Sequence, residues 1–183
     1  MTDRIDTGPY DGRTIALHWL TLLLVLGQWL GAQTIDWFPR GALRTDVRSL
    51  HIVFGSILAA VIVARLAWRM SGGRRLPSAD TGVMKVLSSS VHKLLYALVI
   101  ATVLLGIFNA WLRGDNLFGL FAIPKFPTTD VNLRESVGEL HGLAANGILI
   151  VAALHTAAAL WHQYIRRDGL LGRMIPALAR RPS

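Results

Sequence analysis

The sequence predicts an all-α integral membrane protein, a bundle of four helices. Three observations predict it: an apolar composition, four runs almost free of charge, and basic residues gathered on alternate connections. Of the 183 residues 52% are hydrophobic and only 16% charged, and a mean hydropathy of +0.44 lies outside the range of ordinary soluble domains.

The first run, Thr14 to Ile35, has no Asp, Glu, Lys or Arg. About 20 apolar residues at 1.5 Å each cross a hydrocarbon core, so residues 14–35 form the first span. It is too long for a signal-peptide core and lacks a small-x-small cleavage site, so it stays in the membrane. The second run begins at Ser49 and is charge-free to Ala64; extended to Trp68 it includes Arg65, which can snorkel to the interface. Residues 94–112 and 140–165 make the third and fourth spans. The connections are short, so residues 1–183 read as one transmembrane domain. The third connection carries Leu117 to Pro124, too short to span and broken by proline; it lies on the interface or caps the bundle.

The charges orient the bundle. Arg4 and Arg13 precede the first span, Arg65, Arg69, Arg74, Arg75, Lys85 and Lys93 surround the second connection, and Arg166, Arg167, Arg173, Arg180 and Arg181 follow the fourth. The other two connections hold only Arg40, Arg44, Arg48, Arg113, Lys125 and Arg134, balanced by Asp36, Asp46, Asp115, Asp130, Glu135 and Glu139. By the positive-inside rule both termini are cytoplasmic. The formal charge of +8 is thus a topology signal facing membrane lipid, not a nucleic-acid footprint.

All six histidines lie in or at the ends of the spans. Cysteine is absent, which excludes disulfides, thiolate zinc sites, iron–sulfur clusters and covalent c-type haem. His141 and His155, 14 residues apart, point to nearly the same helix face about 21 Å apart, one near each leaflet. Only His51 and His141 lie toward the outer face, so an outer bis-histidine site must use those two. The inner site is open among His18, His92, His155 and His162. Two b haems stacked across the bilayer suit neutral imidazoles in a four-helix bundle. Small residues around the histidines of the last span, from Gly138 to Ala159, leave room for a flat macrocycle. A metal transporter would add carboxylates or methionines within the spans, and these hold no Asp or Glu.

The residues resemble the bacterial cytochrome b561 family, small dihaem membrane proteins that include the superoxide:ubiquinone oxidoreductase. The resemblance runs from His18 to Pro176, through His18-Trp19-Leu20, Phe38-Pro39-Arg40, Arg113-Gly114, Phe118-Gly119-Leu120 and His141. Its most specific run is Leu154-His155, Ala157 to Leu160, His162 and Tyr164, then Asp168 and Met174 to Pro176. The resemblance implies that His51 and His141 hold the outer haem iron and His18 and His155 the inner one, with His92 beside the inner haem as a non-ligand. It places ubiquinone at the cytoplasmic end of the last span, where His162 corresponds. A lysine of that site has no clear counterpart; Lys85, Arg74 or Arg75 stand nearest in sequence.

The implied activity is oxidation of periplasmic superoxide to dioxygen with reduction of ubiquinone in the bacterial inner membrane. Arg40 and Arg113 are candidates for a basic superoxide mouth, together with Arg44, Arg48 and Arg134. Two alternatives differ in what they require. A haem b anchor subunit linking a dehydrogenase or hydrogenase to quinone needs a redox partner protein, and a haem-free transporter or interaction protein needs no colour at all.

Overall fold

The computed structural model describes residues 8–128 and 130–179; Arg4, Arg180 and Arg181 of the charge count lie outside the described residues. Four long helices dominate: α1 Gly12–Thr34, α2 Ala42–Ser71, α3 Gly82–Arg113 and α4 Val131–Trp161. A 3₁₀ turn over Ile35–Trp37 prolongs α1, and a π turn over His162–Arg166 prolongs α4. All four are long and apolar enough to cross a membrane. α2, α3 and α4 begin 7, 12 and 9 residues before the charge-free runs assigned to them. The physical reason is simple: absence of charge measures the hydrocarbon crossing, whereas a helix continues into the interface, carrying Asp46, Lys85, Lys93 and Glu135 with it.

α1 packs on α2, α2 on α3 and, most extensively, α3 on α4. Leu58 and Ile62 of α2, Val99 of α3 and Ile148 of α4 are buried at the centre, with Leu24 and Val25 of α1 against them. α1 and α4 are tied by the Trp29 indole donating to Asn146 Oδ1 at 2.9 Å. Leu23, Leu26 and Leu30 of α1 and Leu143, Ile150 and Leu154 of α4 face outward, apolar stripes suited to a lipid surround.

At one end, Asp11 organises the chain. Its carboxylate caps α1 by accepting from the Thr14 N–H at 2.9 Å, and also accepts from Trp68 Nε1 and the Arg74 N–H, both at 3.0 Å. Tyr10 N–H donates to the Arg173 carbonyl at 2.9 Å, and Arg173 Nη1 to the Pro77 carbonyl at 2.6 Å. The N-terminal segment, the second connection and the C-terminal segment therefore share one end of the bundle.

Burial works against ionisation of Asp11, yet the bonds from Thr14, Arg74 and Trp68 outweigh it and hold its carboxyl well below the usual carboxylate range. A folded value below the unfolded 3.8 means that its contribution is complete above that pH and fades as pH falls toward the folded value. Asp11→Ala should cost about 0.5–2 kcal/mol through the lost cap alone. Between pH 4 and 2 the thermal midpoint in detergent should fall more steeply for the native protein than for Asp11→Asn. Parallel decline of the two would show that Asp11 is not a source of acid sensitivity.

The opposite end is closed by a hairpin, β1 Asn116–Leu117 paired antiparallel with β2 Phe121–Ala122. Its start is set by Gly114, which ends α3 at φ 64° with its N–H bonded to the Ala110 and Trp111 carbonyls. A side chain there would be strained, and its Cβ would meet Lys125 Cβ at 2.8 Å. The hairpin is docked by Ser49 of α2, whose fully buried hydroxyl accepts from the Phe118 N–H at 2.9 Å and lies 3.1 Å from the Asn116 carbonyl. The segment from Leu117 to Pro124 thus caps the bundle.

Candidate functional site

Near the hairpin end, α2 and α4 turn His51 and His141 toward one another, with ring centres 6.1 Å apart and planes at 79°. His141 is aimed by α3: its Nδ1 lies 2.9 Å from the Thr102 carbonyl. A carbonyl can only accept, so Nδ1 carries the proton and Nε2 of the neutral ring keeps its lone pair. Gly106 makes that position possible, since a Cβ there would approach His141 Cε1 to 3.0 Å. The His51 carbonyl accepts from Gln28 Nε2 at 2.7 Å, while His51 Nδ1 is buried without a hydrogen-bond partner among the described residues. Gly55, Gly106, Ala110, Gly142 and Ala145 border the apolar cavity into which both rings project.

Just outside it lies a polar cavity of about 480 Å³ lined by Arg48, Arg113 and Arg134 and by Asp115, Glu135 and Glu139. Asn109 and Gly138 complete its wall, one residue from Ala110 and three from His141, so the two cavities are neighbours. Asp115 Oδ1 faces Arg48 Nη1 at 3.6 Å and Arg113 Nε at 3.5 Å. Arg113 therefore stands at this mouth. Arg40 is exposed and not among its lining residues, and Arg44 is paired with Asp36.

Toward the other end, His18, His92 and His155 converge. His155 and His92 touch at 4.9 Å between ring centres, and His92 Nδ1 donates to the Ser88 carbonyl of its own helix at 2.7 Å. His18 is within electrostatic range of both and accepts at Nδ1 from Arg65 Nη2 at 3.0 Å. The Arg65 guanidinium lies 5.3 Å from the centre of the Tyr96 ring. Arg65 therefore lies among the inner histidines.

His162 stands apart from these three. It is 5% exposed, with Nδ1 2.5 Å from Asp168 Oδ2 and Nε2 3.6 Å from Asp80 Oδ2. Asp80, itself buried, receives Arg166 Nη1 on its other oxygen at 2.7 Å. Burial disfavours the charged Asp168 carboxylate, but the bonds from His162 and the Leu170 N–H, with the charge of Arg166, hold it below the ordinary range. The seven-residue spacing from His155 predicts a His162 open to water at the end of the helix; in the fold, Asp80 and the turn at Asp168 close over it. Sequence reasoning gave Asp80 no role. Its one signal was that it is the only carboxylate between Arg69 and Lys93.

The sequence profile of the prokaryotic cytochrome b561 family matches residues 9–177. The chain belongs to that family. Cytochrome b561 homolog 1 of Escherichia coli K12 is 32% identical over 88% of this chain and 94% of the relative. The probable superoxide oxidase CybB of Yersinia pestis is 28% identical over 91% and 96%, and cytochrome b562 of Cereibacter sphaeroides 29% over 91% and 94%. This cytochrome b561 family member is accordingly a multi-pass protein of the bacterial inner membrane, of an oxidoreductase type that moves electrons and carries b-type haem.

The outer histidines fit that group. Two metal–imidazole bonds of about 2 Å, with the ring centres behind the nitrogens, require centres roughly 6 Å apart. The 6.1 Å between His51 and His141 meets this, with the Thr102 bond fixing one tautomer and an orphaned Nδ1 on the other ring. The 4.9 Å between His92 and His155 is too short to admit an iron and reads as ring packing.

Proposed function

We propose that this cytochrome oxidises superoxide at its outer face and reduces ubiquinone at its cytoplasmic end. Two superoxide anions yield two dioxygen molecules, and one ubiquinone takes the two electrons with two protons to become ubiquinol. The observation that carries this reading is the order along the bundle: an arginine-bearing mouth, the opposed pair His51 and His141, the inner cluster with His155 and His18, then buried His162. The 28% identity to a probable superoxide oxidase supports the choice of donor.

Two haem b groups would be held, one by His51 and His141 and one by His18 and His155, the second once His18 Nδ1 exchanges its bond from Arg65 for a proton and so frees the Nε2 lone pair; each group supplies reversible one-electron iron chemistry when bound. The chain does the rest. Arg48 and Arg113 attract a small anion to the outer mouth. The Thr102 carbonyl keeps the His141 tautomer that can coordinate. His162 holds a proton at Nε2 for a quinone oxygen, with Asp168 orienting the ring through Nδ1. Both termini and the Asp11 cluster face the cytoplasm.

Stopped-flow mixing of the oxidised, haem-loaded protein with superoxide tests this. The reduced b-type α band should rise within milliseconds to seconds and decay on adding a short-chain ubiquinone. Absence of any rise, with a soluble dehydrogenase co-purifying, would favour an anchor subunit; absence of any α band would leave a haem-free protein.

A further inference from the structure

We propose that Asp80 resupplies the proton that His162 delivers to quinone, and that Arg166 holds Asp80 in place to do so. This deepens the quinone reading of His162 and rests on it. The second connection contributes Asp80, the π turn that prolongs α4 contributes His162 and Arg166, and the segment after it contributes Asp168; His162 and Asp80 are buried, and the other two reach water. His162 Nδ1 is committed to Asp168 Oδ2 at 2.5 Å, so the exchangeable proton of this ring is the one at Nε2. The polar group opposite Nε2 is Asp80 Oδ2, 3.6 Å away, just beyond hydrogen-bond length. Asp80 Oδ1 is fixed by Arg166 Nη1 at 2.7 Å, which leaves Oδ2 as the oxygen able to carry a proton.

The backbone makes this arrangement. α4 widens into a π turn from His162 to Arg166, and the Asp168 N–H bonds back to the His162 carbonyl at 3.3 Å. Such turns let a side chain leave the regular helical register. Here the turn puts Arg166 on Asp80 and brings Asp168 onto the far side of the imidazole, while the Trp161 ring stands edge-on at 5.5 Å. Among the described residues the charged groups facing His162 are Asp80 and Asp168, with Arg166 bound to the first. Asp80 is buried whereas the side chain of Arg166 is 39% exposed, so the pair reaches from the buried imidazole to water. A proton conduit uses those charges.

The step balances. The Nε2–H bond of His162 breaks as the proton passes to a quinone oxygen made basic by the electron it has received. The Nε2 lone pair then takes a proton from Asp80 Oδ2, and Asp80 takes one from cytoplasmic water. Asp80 acts through His162 and is a positioning and relay residue, not one that touches quinone.

The experiment uses the haem-loaded protein, reduced beforehand and mixed with a short-chain ubiquinone, with α-band decay recorded from pH 6 to 9. Asp80→Asn should slow reoxidation about tenfold to a hundredfold at pH 8 and less at pH 6, where water protonates His162 directly. Added formate or azide, small proton carriers, should restore much of the rate, and Asp80→Glu should retain it. A slow Asp80→Asn variant with an unchanged pH profile and no rescue would overturn the proposal, leaving Asp80 as a tether for Arg166. A native rate in Asp80→Asn would overturn it as well. If Asp80→Asn does not assemble, absence of a solvent deuterium effect on the native reoxidation rate would overturn it. His162→Gln separates the two levels: a native reoxidation rate there removes the quinone reading itself, whereas a slow His162→Gln beside a native Asp80→Asn removes the relay alone.

Discussion

Replacing His141 by alanine is expected to halve the haem content of the purified protein, from a pyridine haemochrome ratio near two per chain to one near one. The expectation rests on how the site is built. His141 is oriented by a single bond from Nδ1 to the Thr102 carbonyl and fitted against the bare Cα of Gly106. His51 faces it from α2 at the separation an iron requires, with its own Nδ1 unpartnered among the described residues. One imidazole cannot replace the pair. Gly106→Val should be a graded version of the same loss. A Cβ 3.0 Å from Cε1 turns the ring off the Thr102 carbonyl, and disturbing a ligand's orienting partner typically weakens binding about tenfold to a hundredfold. Acid acetone should extract all of the haem, because no cysteine is present to bind it covalently. At the inner site His155→Ala and His18→Ala should each remove the second haem and His92→Ala should not. An inner site emptied by His92→Ala but kept by His18→Ala would reverse that assignment, and a ratio unmoved by His141→Ala would remove the outer one.

Much of this architecture was legible before folding because lipid writes it into composition. A helix that crosses hydrocarbon must be apolar and nearly free of charge over about 20 residues, and four helices have such a stretch. The approach of His51 to His141 was legible too, since no other histidine lies near that end of the spans. What stayed hidden depends on contacts between distant segments. The early start of α3 at Gly82 leaves no mark in a charge count, because its first turns lie in water and the interface. Ser49 reads as one more small residue, yet its hydroxyl docks the hairpin onto α2. Asp80 reads as loop, and only the return of the chain from His162 to Arg166 makes it the buried neighbour of an imidazole. The inner histidines are the intermediate case: depth gathers them, but Arg65 on His18 and His92 against His155 are matters of side-chain packing that spacing does not encode.

Reduction by superoxide should be about tenfold slower in Arg113→Ala and faster than native in Asp115→Asn, with both haems retained in each. Asp115 Oδ1 lies 3.5–3.6 Å from the guanidinium groups of Arg48 and Arg113, close enough to cancel much of the field each presents to an approaching anion. Glu135 and Glu139 make the mouth formally neutral, so its attraction is local, acting over the last few ångströms rather than steering from afar. Removing Arg113 leaves Asp115 and both glutamates facing two arginines, which repels superoxide; removing the Asp115 charge leaves an excess of positive charge. Local fields of this kind change association rates by about ten- to a thousandfold. Salt should slow the native protein, and Asp115→Asn more steeply, because screening at 0.1 M acts over about 10 Å. Arg40→Ala, away from the cavity lining, should change the rate little. The rate constants come from α-band growth in stopped flow at several salt concentrations. Equal rates for Arg113→Ala, Asp115→Asn and the native protein would leave these arginines as partners of haem propionates or lipid phosphates. A slower Asp115→Asn would mean that this carboxylate's task is to hold Arg48 and Arg113 in position, with geometry rather than charge limiting the approach of the anion.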